Sequence, residues 1–220
     1  HLTISEHLKN NVIQFVPVAE HAKVVRIYRS VEFPEKITRT SDGTLRILHL
    51  ARIDPGKGQM ETLIAIKELL KITKDFKVQF VGSTTMGNYF EELKKYIHEN
   101  KLERYVEFVG HKDDVSYYLM NSDLFIFPSW GEGLPNVILE GFAHAIPILA
   151  FKNTVFPEFQ QLGFHIHLAK DRDISDLTQK LLVMISNFSN EKEHALKNRE
   201  LAKIVFNKNS EVQGLLGLLN

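Results

Sequence analysis

From Leu45 onward, short apolar runs alternate with stretches whose apolar residues recur at helical spacing, the pattern of successive βα units and hence of a parallel sheet. LRILHLARI (45–53) predicts a buried strand, and GQMETLIAIKELLKITK (58–74) a helix with Leu63, Ile66 and Leu70 facing inward and Leu69 and Thr73 on the flank. FKVQFVG (76–82) reads as a second strand and NYFEELKKYIHEN (88–100) as a helix with its charges outward. VEFVG (106–110) leads into a helix around DVSYYLMNS, DLFIFPS (123–129) leads into LPNVILEGFAHA, and PILAF (147–151) follows. FHIHLAK (164–170) is the last strand, with DISDLTQKLLVMIS (173–186) as its helix. Six strands with intervening helices predict an α/β, Rossmann-like doubly wound parallel sheet over 45–188, with ligands at the carboxyl ends of the strands.

The flanks differ. Residues 1–44 run from a helix-like SEHLKNNVIQF through VVRIYRSVEF to the loop PEKITRTSDGT; they are too few to build a core and read as the end of a preceding domain plus a linker. Residues 189–220, rich in alternating charges and with Leu196, Ile204 and Val205 available for packing, predict a surface helical tail in need of a partner. The start at His1, with neither an initiator Met nor a signal-peptide pattern, reads as a fragment.

Composition narrows the chemistry. The 27 basic residues balance 27 acidic ones, so no global field favours nucleic acid or an anionic bilayer, and a polyanionic ligand must be held locally. With no cysteine there is no disulfide, thiolate nucleophile or Cys-ligated zinc. No apolar run approaches the roughly 18 residues of a membrane span.

Two segments carry chemistry. In ARIDPGKG (51–58), at the end of the first strand, a turn built on Pro55 and Gly56 brings Arg52 and Lys57 toward a helix start: two cations beside free backbone N–H groups form a diphosphate seat, the plain alternative being a solvated turn. The chain has neither P-loop spacing nor a G-x-G-x-x-G. The second segment is SWGEGLPNVILEGFAHAIP (129–147), which places Glu132 and Gly133 in the loop after an apolar strand, starts a helix near Leu134 or Pro135, and puts Glu140 under two turns into it. A carboxylate beside a phosphate seat takes a sugar hydroxyl as its natural donor. Two acids flanking an anion seat therefore fit a ligand with hydroxyls at two places and negative charge between.

EGLPNVILE resembles the E-x7-E motif of retaining GT-B glycosyltransferases, family four (glycosyl transferases group 1), and ARIDPGKG resembles that family's R-x4-K element. The resemblance implies a C-terminal donor-binding domain in which Glu140 holds the ribose, Glu132 contacts the donor sugar, Arg52 and Lys57 bind the diphosphate, and the backbone of Gly133, Leu134, Asn136 and Val137 completes the seat. VEFVGHKDDVSYYLMNSDLFIFPS is similar to the family segment lying against the nucleobase, pointing to His111 and Lys112, and TISEHL resembles the end of the N-terminal acceptor domain. Implied with it are transfer of a sugar from a UDP- or GDP-linked donor to a hydroxyl acceptor with retention, no metal or other cofactor, a carbohydrate or lipid-linked acceptor held by the N-terminal half, and a cytoplasmic setting at the inner membrane face in polysaccharide or glycolipid synthesis. The fragment alone is expected to turn over little or nothing. Rival readings are a noncatalytic binding or scaffolding module and a nucleotide-sugar epimerase of similar fold.

The chain departs from the family pattern at Ala145, where a glycine usually follows the motif helix, within NTVFPE (153–158) in place of a glycine pair, at GSTTMG (82–87) after the second strand, and at Arg29 and Ser30 in place of an interdomain asparagine-glycine. Asp171, Arg172 and Asp173 spell D-x-D, but an aspartate after the last strand most simply caps a helix. His165 and His167 share a strand face with no third metal ligand adjacent in sequence, and Trp130 either lines the donor pocket or packs.

Overall fold

The computed structural model describes residues 1–39, 42–84 and 87–218. Leu2–Thr3 (β1) and Val25–Arg26 (β2) form a short parallel pair with helix Glu6–Ile13 (α1) between them. The main layer then runs Leu45–Leu50 (β3), Gln59–Leu69 (α2), Phe76–Val81 (β4), Tyr89–Glu99 (α3), Val106–Gly110 (β5), Ser116–Met120 (α4), Leu124–Phe127 (β6), Asn136–Ala143 (α5), Ile148–Lys152 (β7), Phe156–Gln161 (α6), His167–Lys170 (β8) and Ile174–Ser186 (α7). Helices Phe188–Val205 (α8) and Lys208–Leu216 (α9) complete it.

The six main strands are all parallel, in the order β5-β4-β3-β6-β7-β8. This is the doubly wound order expected, with its reversal point between β3 and β6. Both faces of the sheet are covered, which is why the strands read as continuous apolar runs. Along β6, Leu124 and Ile126 point into a core closed by α2, α3 and α7, while Phe125 and Phe127 point into a second core under α4, α5, α6 and α8. Strand β7 alternates likewise, Leu149 and Phe151 against Ile148 and Ala150.

Element ends differ from the expectation in physically simple ways. The helix predicted over 58–74 ends at Leu69, and the last strand, read from 164, begins at His167. Helix α6, inside NTVFPE and the residues after it, leaves no sequence signal because six residues carry less than two turns of periodicity. The tail, expected to need a partner elsewhere, finds one within the chain: α8 lies on α5, burying Ala195, Asn198 and Ala202, and Phe206 stacks on Phe164 with ring centroids 5.4 Å apart. Leu201, Val205 and Phe206 join the second core, whereas Leu196 and Ile204, two of the positions offered for packing, are exposed.

One buried polar residue makes stability depend on pH. His49 in β3 is fully buried against Phe80 and Phe127. The Thr62 hydroxyl gives its proton to the Gly58 carbonyl (3.1 Å), so His49 Nδ1–H is the donor to Thr62 Oγ1 at 2.9 Å. Burial holds the imidazole down at about 3, against an ordinary 6.5. Between those values the unfolded chain binds a proton that the native state refuses, so this contribution is complete above pH 6.5 and is lost as pH falls toward 3. Going from pH 7 to pH 5 is expected to remove about 2 kcal/mol through His49 alone. Urea midpoints at the two pH values read the effect, and His49→Asn should flatten the difference; an unchanged slope in that variant would assign it to other groups.

Candidate functional site

The loops leaving β3 and β6 meet at the reversal point of the sheet. After β3, Asp54 caps a single 3₁₀ turn, Pro55–Lys57, its side chain accepting from the Gly56 N–H at 3.0 Å. Gly58 follows in the left-handed region (φ 78°) against the end of β6; a Cβ on it would lie 2.1 Å from the Pro128 carbonyl oxygen. The Trp130 N–H donates to the Gly56 carbonyl at 2.9 Å, so the two loops are stitched together.

That seam brings Lys57 and Glu132 into contact: Nζ lies 2.6 Å from Oε1, and both side chains are largely shielded from solvent, at 22% and 14% exposure. The Ser129 hydroxyl donates to the same Glu132 oxygen at 2.6 Å. Arg52, earlier in the β3 loop, is exposed, and its guanidinium carries no hydrogen bond or ion pair among the described residues. Pro135 takes the N-cap position rather than the first turn, and α5 starts at Asn136. Among the described residues, nothing accepts from the amide N–H groups of Gly133, Leu134, Asn136 and Val137. Backbone donors without partners among the described residues at a helix N-terminus, beside a loop that carries two cations, are an arrangement that can hold an anion. The Glu132 N–H, by contrast, is taken by Thr154 Oγ1 at 3.1 Å.

Glu140 lies on the other side of the α5 N-terminus, in a cleft of about 490 Å³ that it shares with Asn136, His144, Ser116, Asp113 and the segment around Ser30. This is within the range of small-ligand pockets. Its carboxylate has no hydrogen-bond partner among the described residues, and burial pushes its pKa up. His111 and Lys112 are exposed on the loop after β5, just ahead of the cleft, with His111 Nε2 3.2 Å from Asp113 Oδ1.

The departures from the family pattern find local explanations. Ala145 adopts the left-handed conformation (φ 49°) that a glycine would take, and its N–H and that of Ile146 close onto the carbonyls of Phe142 and Gly141, a complete Schellman cap. Arg39 donates to the His144 and Ala145 carbonyls and Arg199 Nε to that of Ala143, which offsets part of the strain at the negative end of α5. Thr154, within NTVFPE, also has positive φ (41°), unusual for a β-branched residue. In GSTTMG, Thr85 and Met86 lie outside the described residues. Ser30 donates through its N–H and hydroxyl to Glu211 of α9, while Arg29 Nη1 lies 3.5 Å from Asn136 Oδ1.

Asp173 caps α7, accepting from the Asp176 N–H, and Asp171 accepts from Asn153. The Trp130 indole N–H donates to Glu61, and Arg172 lies over the ring at 4.7 Å. Glu191, which sequence spacing could not reveal, meets His165 and His167 in space.

The family model for glycosyl transferases group 1 matches residues 44–187. A Haemophilus influenzae glycosyltransferase is 31% identical over 144 residues, covering 64% of this chain and 39% of that protein. The amylovoran biosynthesis glycosyltransferase AmsK of Erwinia amylovora is 28% identical over 190 residues, covering 82% of this chain and 46% of its own. The chain thus spans less than half the length of these relatives. Among solved structures, Anabaena HepE in complex with UDP and glucose superposes with a TM-score of 0.86 at 21% identity over 99% of this chain and 62% of its own. Staphylococcus aureus TarM, in a complex that includes UDP, gives 0.81 at 20% identity over 100% of this chain and 43% of its own. No helix among the described residues is long and apolar enough to cross a membrane. With the motif pair, the sheet order and the family match in agreement, the chain belongs to the glycosyl transferases group 1 family and has the Rossmann-like layer of a GT-B C-terminal half.

Proposed function

We propose that this chain is the donor-binding half of a glycosyltransferase that moves a sugar from a nucleoside diphosphate to a hydroxyl acceptor with retention. The observation that carries the reading is the set of four amides at the start of α5, without acceptors among the described residues, beside the β3 loop that carries Arg52 and Lys57 at the sheet reversal point. Negative charge grows on the leaving diphosphate as the glycosidic bond breaks, and donors fixed beforehand in a partly buried crevice stabilise that charge without reorganising. These groups supply the positive field themselves, so the reading assigns no metal to the transfer. Glu132 would exchange part of its contact with Lys57 and Ser129 for a sugar hydroxyl. Glu140 would accept from the ribose hydroxyls, with the base extending toward His111 and Lys112. The UDP bound by HepE and TarM makes a uridine donor the first to test, ahead of guanosine. A carbohydrate or lipid-linked acceptor would be held by an N-terminal half, in polysaccharide synthesis at the cytoplasmic membrane face.

A screen of UDP, GDP and ADP for thermal stabilisation tests the reading, because a ligand specific for the native state raises the melting temperature by mass action. One base should stand out; no shift with any of the three at millimolar concentration overturns the proposal. Glu140→Gln separates binding from folding. An unpartnered, half-buried carboxylate contributes little to stability, so the variant should melt at or slightly above the parent temperature. Its nucleotide affinity should fall about 10- to 100-fold, the equivalent of one lost hydrogen bond to a charged group. Unchanged affinity would remove Glu140 from the ribose site.

A further inference from the structure

At the amino end of β8, away from the donor crevice at the carboxyl ends, three side chains converge on one point. His165 Nε2 lies 3.1 Å from Glu191 Oε2, His167 Nε2 lies 2.9 Å from the same oxygen, and the two Nε2 atoms are 3.2 Å apart. The Glu191 side chain is 7% exposed. From this geometry we infer a zinc-binding site, His165–His167–Glu191, with one position open to water, that links α8 to the edge strand of the sheet.

Protons alone satisfy this triangle poorly. If both imidazoles donate to Glu191, two N–H groups face each other across 3.2 Å; if one donates to the other, the acceptor nitrogen has no proton left for the carboxylate. A single cation bound by three lone pairs resolves all three edges together. For metal–ligand bonds of about 2.0 Å the edge of a tetrahedron is about 3.3 Å, close to the separations here. Two imidazoles and one carboxylate are a zinc donor set, and the partly exposed His165 side leaves the fourth position to water.

The supporting contacts come from one face of α8. Glu191, His194 and Asn198 follow at intervals of three and four residues, so all three meet the strand segment. Asn198 clamps the His165 backbone on both sides, accepting from its N–H at 2.8 Å and donating to its carbonyl at 2.7 Å. The His194 ring stacks on that of His165 at 4.0 Å, fixing its plane. Such outer contacts orient metal ligands in advance of binding.

The test uses untagged full chain, stripped with a chelator and dialysed at pH 7.5 against zinc or cobalt. Expected are one bound equivalent, a visible tetrahedral cobalt spectrum and a melting temperature that rises with free zinc but not with magnesium. His167→Gln and Glu191→Gln should each lower zinc affinity at least 10-fold while leaving the nucleotide-induced thermal shift in place. Failure of the parent chain to take up zinc or cobalt overturns the proposal, whether or not the variants fold, as does uptake of equal affinity in both variants, which would place the ion on other histidines. Neither result bears on the donor site.

Discussion

Replacing Gly58 by alanine is expected to lower the unfolding free energy by about 2–5 kcal/mol. A left-handed backbone carries a penalty of about 1–2 kcal/mol for a residue with a Cβ, and forcing a methyl into a filled site adds about 1–3 kcal/mol. Here the obstacle is the Pro128 carbonyl, which belongs to the backbone and cannot rotate aside. Gly110 supplies the internal control. Its φ of 80° nearly equals the 78° of Gly58, but a Cβ there meets nothing within 4 Å, so Gly110→Ala should show the conformational penalty alone, about 1–2 kcal/mol. Urea unfolding followed by circular dichroism measures both. Equal losses would mean that the β3 and β6 loops yield at their seam, and the rigid crevice inferred from it would have to be abandoned.

The second large effect is expected at Lys57. Its ammonium pairs with Glu132 and, on the reading proposed above, would also serve the diphosphate. Lys57→Ala therefore does more than delete a contact: it leaves a shielded carboxylate without its cation beside an incoming anion. Truncating one partner of such a pair is worth about 2–4 kcal/mol, so UDP affinity should fall roughly 30- to 1,000-fold by calorimetry. Lys57→Ala combined with Glu132→Gln should recover part of that loss, because the second change removes the uncompensated charge. Arg52→Ala, at an exposed position with no ion pair to strand among the described residues, should have a smaller effect. If the double variant binds no better than Lys57→Ala, repulsion from Glu132 is not part of the loss and the two residues act independently.

What could be read from sequence follows from how local each signal is. Runs such as LFIF and ILAF announce strands because both of their faces are buried, and EGLPNVILE announces a loop and a helix start because its turn residues and apolar spacing lie within a few positions of one another. The one-residue error at Pro135 reflects a residue compatible with either side of a helix boundary. Contacts created by tertiary packing left no comparable trace. Glu191 reaches His167 across 24 residues, and Arg39 reaches the end of α5 across more than a hundred. Ala145 and Thr154 show a further limit: both take backbone conformations that their side chains disfavour, because the surrounding hydrogen bonds dictate the turn.

The contacts made by α1 place a mechanical joint far from where the sheet begins. The Glu158 carboxylate, near the start of α6, accepts from the N–H groups of Glu6 and His7 at 2.9 and 3.1 Å and from the Tyr28 hydroxyl at 2.6 Å, while Leu8 rests where a Cβ on Gly133 would come within 3.0 Å of it. The opening turn of α1 is thereby bolted to α6, and its Leu8 side chain would have to shift to admit even a methyl group at Gly133. A rotation about the segment before Ser5 leaves these contacts intact, whereas one between α1 and β3 breaks them, so the first dozen residues move with α6 although nearly forty positions separate them from β3.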